Sequence, residues 1–206
     1  GLVTEYDYEA VALRDGQIVQ LETLTELESL EIPNLGTMEA FTTSGGTSTA
    51  PYSLKDQLQS YEYKTIRFPG HCERMRIFKD FGFWGEENVD CNGIEVKPKS
   101  LFCKVFGDHL AKIEDTDQCV IRAVGSGFEN GSTVTYQVDI HDFQDEETGF
   151  SSMERLTGFS LSIIAQHIAA GNLPPGCVRY EHAMTGHQFV NQLSKRGIEH
   201  RLRRSC

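Results

Sequence analysis

Arg67 and His71 flank the tripeptide Phe68-Pro69-Gly70, and they are the pair in this chain whose types and spacing best suit a small anionic substrate. A guanidinium grips a carboxylate through two parallel hydrogen bonds, and an imidazole exchanges a proton near neutral pH. The residues before Phe68 read as a strand and those after Gly70 as a helix. The pair therefore brackets a strand-to-helix corner, where the first N–H groups of the helix can face an anion. A surface arginine beside a first-turn histidine with no ligand fits the same letters.

Two other places gather polar groups. In "TTSGGTST", residues 42–49, the glycines bare backbone N–H groups and the hydroxyls add donors, a combination suited to holding a carboxylate or phosphate. A flexible linker has the same composition. In "ERLTGFS", Thr157 and Gly158 fall early in a long helical pattern. A helical glycine costs up to ~1 kcal/mol relative to alanine, so the close approach of a ligand or of another backbone is a motive, and core packing is another.

Several chemistries have no support. No Gly-x-Gly-x-x-Gly follows a strand, and no phosphate loop, His-Glu-x-x-His or Gly-x-Ser-x-Gly occurs. The six cysteines, at 72, 91, 103, 119, 177 and 206, form no Cys-x-x-Cys pair, so neither a zinc site nor a dithiol motif is expected. Trp84, His109, His167 and His187 read as packing or surface residues, and "DFQDEETG" as a solvated acidic turn.

The elements that must position these residues are legible in outline. Residues 6–43 alternate as strands, with Asp15-Gly16 as a tight hairpin turn, and residues 61–68 add another strand. Helical spacing covers 70–81, closed by Gly82, and 98–110, opened by Pro98. Residues 119–142 return to strands around an Asn130-Gly131 turn. A long helix follows, capped by Ser152, striped by Leu156, Phe159, Ile163, Ile164 and Ile168, and ended by Gly171 and Pro174-Pro175. A last helix over 185–196 leads into a basic strand or tail. The pattern predicts an α+β fold with one mixed or largely antiparallel sheet covered by helices.

Composition bounds the partners. The chain has 206 residues, 39% hydrophobic and 24% charged, with a net charge of -11. That charge argues against a nucleic-acid or anionic-membrane surface, and no apolar run reaches the ~18 residues of a membrane span. A soluble, cytoplasmic protein with reduced thiols is the expectation.

Three stretches together, "GTMEAFTTSGGTST", "YEYKTIRFPGHCERMRIFKDFG" and "ERLTGFSLSIIAQHIAAGNLPPG", resemble the C-terminal half of saccharopine dehydrogenase-like oxidoreductases, a group that includes lysine 6-dehydrogenases. The resemblance runs over nearly the whole chain. Phe68 stands where the similar family motif has tyrosine. It implies one substrate-binding and dimerisation domain over 1–206, similar to the C-terminal domain of glyceraldehyde-3-phosphate dehydrogenase, with NAD or NADP bound mainly by a Rossmann domain outside this chain. It further implies oxidation of a C–N bond of an amino acid such as saccharopine or lysine. Arg67 would then bind the α-carboxylate, with Ser44, Gly45, Gly46 and Thr47 as added donors. His71 would be the proton-transfer group, Thr157 and Gly158 would complete the wall, and the assembly would be a homodimer. The alternatives are a non-catalytic relative that binds an amino acid or only dimerises, and a mature chain that borrows a nucleotide domain from a partner.

Overall fold

The computed structural model describes residues 2–113 and 116–205, so Gly1 and Cys206 lie outside the described residues. The chain divides into two compact units, Gly1–Ile113 and Glu114–Cys206. Among the described residues every strand pair is antiparallel. The α+β expectation holds, but among the described residues its single sheet is distributed over four small ones, two of them hairpins of five-residue or two-residue strands closed on themselves and two with a third strand added from later in the chain.

In the first unit, α1 (Leu2–Asp7) precedes the hairpin of β1 (Ala10–Arg14) and β2 (Gln17–Leu21). β3 (Glu28–Ile32), β4 (Gly36–Thr42) and β5 (Lys64–Arg67) form a three-stranded sheet with β4 in the middle. The one-turn helix α2 (Ala50–Leu54) lies between β4 and β5. After β5 come α3 (His71–Asp80), the two-residue strands β6 (Val89–Asp90) and β7 (Glu95–Val96), and α4 (Pro98–Leu110). The core joins Val3 and Tyr6 of α1, Leu24, Phe41 of β4, Cys72 and Met75 of α3, Trp84 and Phe102 of α4. Each such buried apolar side chain contributes roughly 1.5–3 kcal/mol. The apolar side expected of α4 is only partly covered. Phe102 is buried, while Leu101 and Val105 are 50% and 61% exposed and line an open groove with Phe78 and Phe83.

In the second unit, β8 (Gln118–Glu129) and β9 (Ser132–Phe143) make a long hairpin whose turn residues Asn130 and Gly131 take φ of 51° and 82°, the left-handed backbone of a tight two-residue turn. The basic C-terminal segment is a strand, β10 (His200–Ser205), laid along β9. α5 (Ser152–Ala169) and α6 (Gly186–Ser194) pack Leu156, Ile163 and Leu193 against Ile140 and Ile198. The cap of α5 is one residue earlier than its sequence predicts. Ser151 and Glu154 form the capping box, whereas Ser152 gives its N–H and hydroxyl to the Asp117 carboxylate.

Among the described residues no helix is long and apolar enough to cross a membrane, and Cys72, Cys91, Cys103 and Cys177 are free thiols.

Candidate functional site

The register of β4 on β5 sets Glu39 opposite Arg67 and Phe41 opposite Thr65, so these four side chains share one face of the sheet. α1 and α3 bring Tyr6, His71 and Met75 into the same part of the unit, where Tyr6, Phe41 and Met75 join one core. The corner between β5 and α3 turns at Gly70, whose φ of 85° is a left-handed backbone that a side chain would strain.

No side chain at the N-cap position of α3 caps that helix. Its cap comes from across the sheet. The Glu39 carboxylate accepts the N–H of Gly70 at 2.8 Å and of Cys72 at 2.6 Å, and the His71 N–H bonds the Phe68 carbonyl at 3.3 Å. The sequence offered these N–H groups to a substrate anion. They are instead satisfied from within the unit, because a buried carboxylate on β4 needs donors as much as the helix end needs acceptors.

Arg67 and His71 meet through a residue the sequence did not single out. The hydroxyl of Tyr6, a side chain with no exposed surface, lies 3.2 Å from Arg67 Nε and 3.0 Å from His71 Nε2. Arg67 Nη1 also donates to the Ile66 carbonyl at 3.0 Å. The imidazole stacks on Phe41 at 6.2 Å and meets the Tyr6 ring edge-on at 5.8 Å. Burial pushes the His71 pKa below its ordinary value, and the positive charges of Arg67 and Arg74 add to this against the opposing pull of Glu39. Burial also pushes the Tyr6 phenol up, with Arg67 opposing.

The loop after β4 is built on its hydroxyls. Ser44 gives its N–H to the Glu5 carbonyl at 2.8 Å and its hydroxyl to the carbonyls of Thr4 and Glu5, while Thr47 donates to the Val11 carbonyl at 2.8 Å. Thr43 bonds Thr65 side chain to side chain at 2.7 Å. This loop is therefore a strap that fixes α1, and with it Tyr6, on the sheet. Gly45 and Gly46, between the two anchored hydroxyl residues, are exposed.

Thr157 and Gly158 belong to the second unit, where both are exposed on α5. The Thr157 hydroxyl lies 3.8 Å from Met153 Sδ, and a Cβ on Gly158 would meet nothing within 4 Å, so packing does not require that glycine. The structure thus joins Arg67 and His71, ties the Ser44–Thr47 loop to the helix carrying Tyr6, and places Thr157 and Gly158 in a unit of their own. Glu39 did leave a trace in the sequence, as a carboxylate at an inward position of the otherwise apolar run "MEAF". Tyr6 left none, because the six-residue α1 is too short to show a period.

Among the described residues no three His, Cys, Asp or Glu side chains gather as a metal site. With all strand pairs antiparallel, these residues also form no parallel β-α-β crossover and do not fit a dinucleotide in the Rossmann manner.

The family model of the saccharopine dehydrogenase C-terminal domain matches residues 1–198. The chain belongs to this family. Among solved structures, the fold is similar to the apo histidine-tagged saccharopine dehydrogenase (L-Glu forming) from Saccharomyces cerevisiae, with a TM-score of 0.70 at 14% identity. The alignment covers all of this chain and 61% of the yeast chain. In this saccharopine dehydrogenase C-terminal domain, the corner between β5 and α3 is where charged and titratable groups converge on one buried hydroxyl.

Proposed function

We propose that this domain is the substrate-binding half of an NAD(P)-dependent oxidoreductase that acts on a C–N bond of an amino acid, saccharopine or lysine being the first substrates to test. The observation that carries this reading is the Arg67–Tyr6–His71 arrangement, a guanidinium and an imidazole held on one hydroxyl at a strand-to-helix corner. Half-buried Arg67 is the group proposed to grip the α-carboxylate, and His71 acts beside it at the amine-bearing end. Gly45 and Gly46 are proposed as backbone donors, since the hydroxyls of Ser44 and Thr47 are engaged by the chain. The nicotinamide cofactor, NAD or NADP, is proposed to sit on another domain of the full protein. A homodimer is the assembly we propose, because β8 and β10 are exposed outer strands.

The test is nicotinamide reduction by the full-length parent protein against a panel of amino acids that includes saccharopine and lysine. One active substrate, with KM raised about 100-fold or more by Arg67→Ala, is the expected result. Amino-acid binding without turnover would establish a non-catalytic relative, and turnover untouched by Arg67→Ala would remove the site assignment.

A further inference from the structure

From its type and place, His71 reads as a group that takes up and returns a proton. The contacts of its ring give it a different task. An arginine Nε can only donate, so the 3.2 Å contact makes the Tyr6 oxygen an acceptor from Arg67. The phenol has one proton of its own, and its side chain has no exposed surface through which water could take it. His71 Nε2, at 3.0 Å, is the acceptor beside it. If Nε2 carried a proton instead, two donors would press on one oxygen and the phenolic proton would be left buried without an acceptor. The chain that satisfies every group runs from Arg67 Nε–H to the Tyr6 oxygen, and from the Tyr6 O–H to His71 Nε2.

We propose that Tyr6 is a positioning residue whose hydroxyl holds His71 as the Nδ1–H tautomer and fixes the Arg67 guanidinium, so that His71 serves as a neutral hydrogen-bond donor through Nδ1 and not as a base at Nε2. This inference rests on the reading of Arg67 and His71 as substrate groups. The charged groups around the ring fit it. Arg67 on β5 and Arg74 on α3 oppose an imidazolium, Glu39 on β4 favours one, and its carboxylate is already shared between two backbone N–H groups. A neutral imidazole beside a guanidinium can polarise an oxygen atom without changing its own charge during a reaction. The proton exchange needed at an amine would then fall to another group of the full-length protein or to water.

The experiment is long-range proton–nitrogen NMR of the chain with labelled histidine, the His71 signals being assigned by their loss in His71→Gln. The wild-type protein is expected to show protonated Nδ1 and unprotonated Nε2 at neutral pH. Tyr6→Phe keeps the ring packed on Phe41 and Trp84 but removes the hydroxyl, so the tautomer preference should be lost and the titration midpoint should move up. A protonated Nε2 in the wild-type spectrum overturns the proposal without any variant, and so does a Tyr6→Phe spectrum that matches wild type. In the full-length enzyme, Tyr6→Phe is expected to lower kcat/KM about 10- to 100-fold. The two readings fail separately: the expected spectra with amino-acid turnover indifferent to Arg67→Ala would remove the functional reading alone.

Discussion

The Glu39 carboxylate on β4 accepts the backbone N–H of Cys72 at 2.6 Å, although its partner across the sheet is Arg67. One oxygen serves Cys72 and the other serves Gly70, so the side chain pins the first turn of α3 to the middle strand. The orientation of His71 thus depends on a residue that touches neither its ring nor Arg67 in the hydrogen-bond network.

Replacing Glu39 removes that pin. Glu39→Ala leaves two N–H groups at a helix start without acceptors and should cost about 2–3 kcal/mol; Glu39→Gln keeps one acceptor and should cost about half as much. Trp84, the sole tryptophan and a core residue of the first unit, reports unfolding of that unit in urea. A loss of less than about 0.5 kcal/mol for Glu39→Ala would place this cap among ordinary surface contacts.

The elements were legible where the local code was strong. Pro98 and the stripe of 98–110 predicted α4, Asn130-Gly131 predicted the long hairpin, and the corner at Gly70 was readable from its proline and glycine. Legibility failed where tertiary partners decide. The long-helix cap fell on Ser151 because Asp117, distant in sequence, claims Ser152. The site was half legible: Arg67 and His71 stand out by type, but the hydroxyl that joins them comes from a short helix about 60 residues earlier, and no local pattern encodes that contact.

His71 should make the first unit sensitive to acid. Its folded-state pKa lies below the ordinary 6.5, chiefly through burial and then through Arg67. Between that depressed value and 6.5 the unfolded chain binds the proton and the folded chain does not, so unfolding takes up a proton. The stability His71 contributes is complete above 6.5 and is lost as pH falls through the folded value. The gap in urea midpoint between wild type and His71→Gln should therefore narrow on acidification. Parallel curves would show that the histidine titrates as it does in the unfolded chain.

In the second unit, Arg155 of α5 reaches Asp142 of β9 at 2.9 Å, with only 10% and 8% of their side chains exposed. Arg155 also meets Asp145 at 3.3 Å, and its pKa is raised first by the Asp142 hydrogen bond. Arg155→Met strands a buried carboxylate and should cost about 3–5 kcal/mol, whereas pairing it with Asp142→Leu should recover much of the loss. Thermal unfolding of the single and double variants checks both. Equal losses in the two would mean that the pair is held by packing alone.

Gly46 is required by a neighbour and not by its backbone angles. A Cβ there would fall 2.0 Å from Tyr63 Cδ1, far inside any real contact, because the ring lies across the glycine. Tyr63 is 42% exposed, so Gly46→Ala would drive the ring outward instead of unfolding the loop. The expected cost is about 1–3 kcal/mol, with a rise in substrate KM if the proposed Gly45–Gly46 donors hold a carboxylate. Tyr63→Ala removes the obstacle, and the double variant should then be nearly as stable as Tyr63→Ala alone. A double-mutant cycle read by urea denaturation decides the matter: a coupling of about 1 kcal/mol or more places the ring on the glycine in solution, and additive losses would mean that the loop accepts a side chain for another reason.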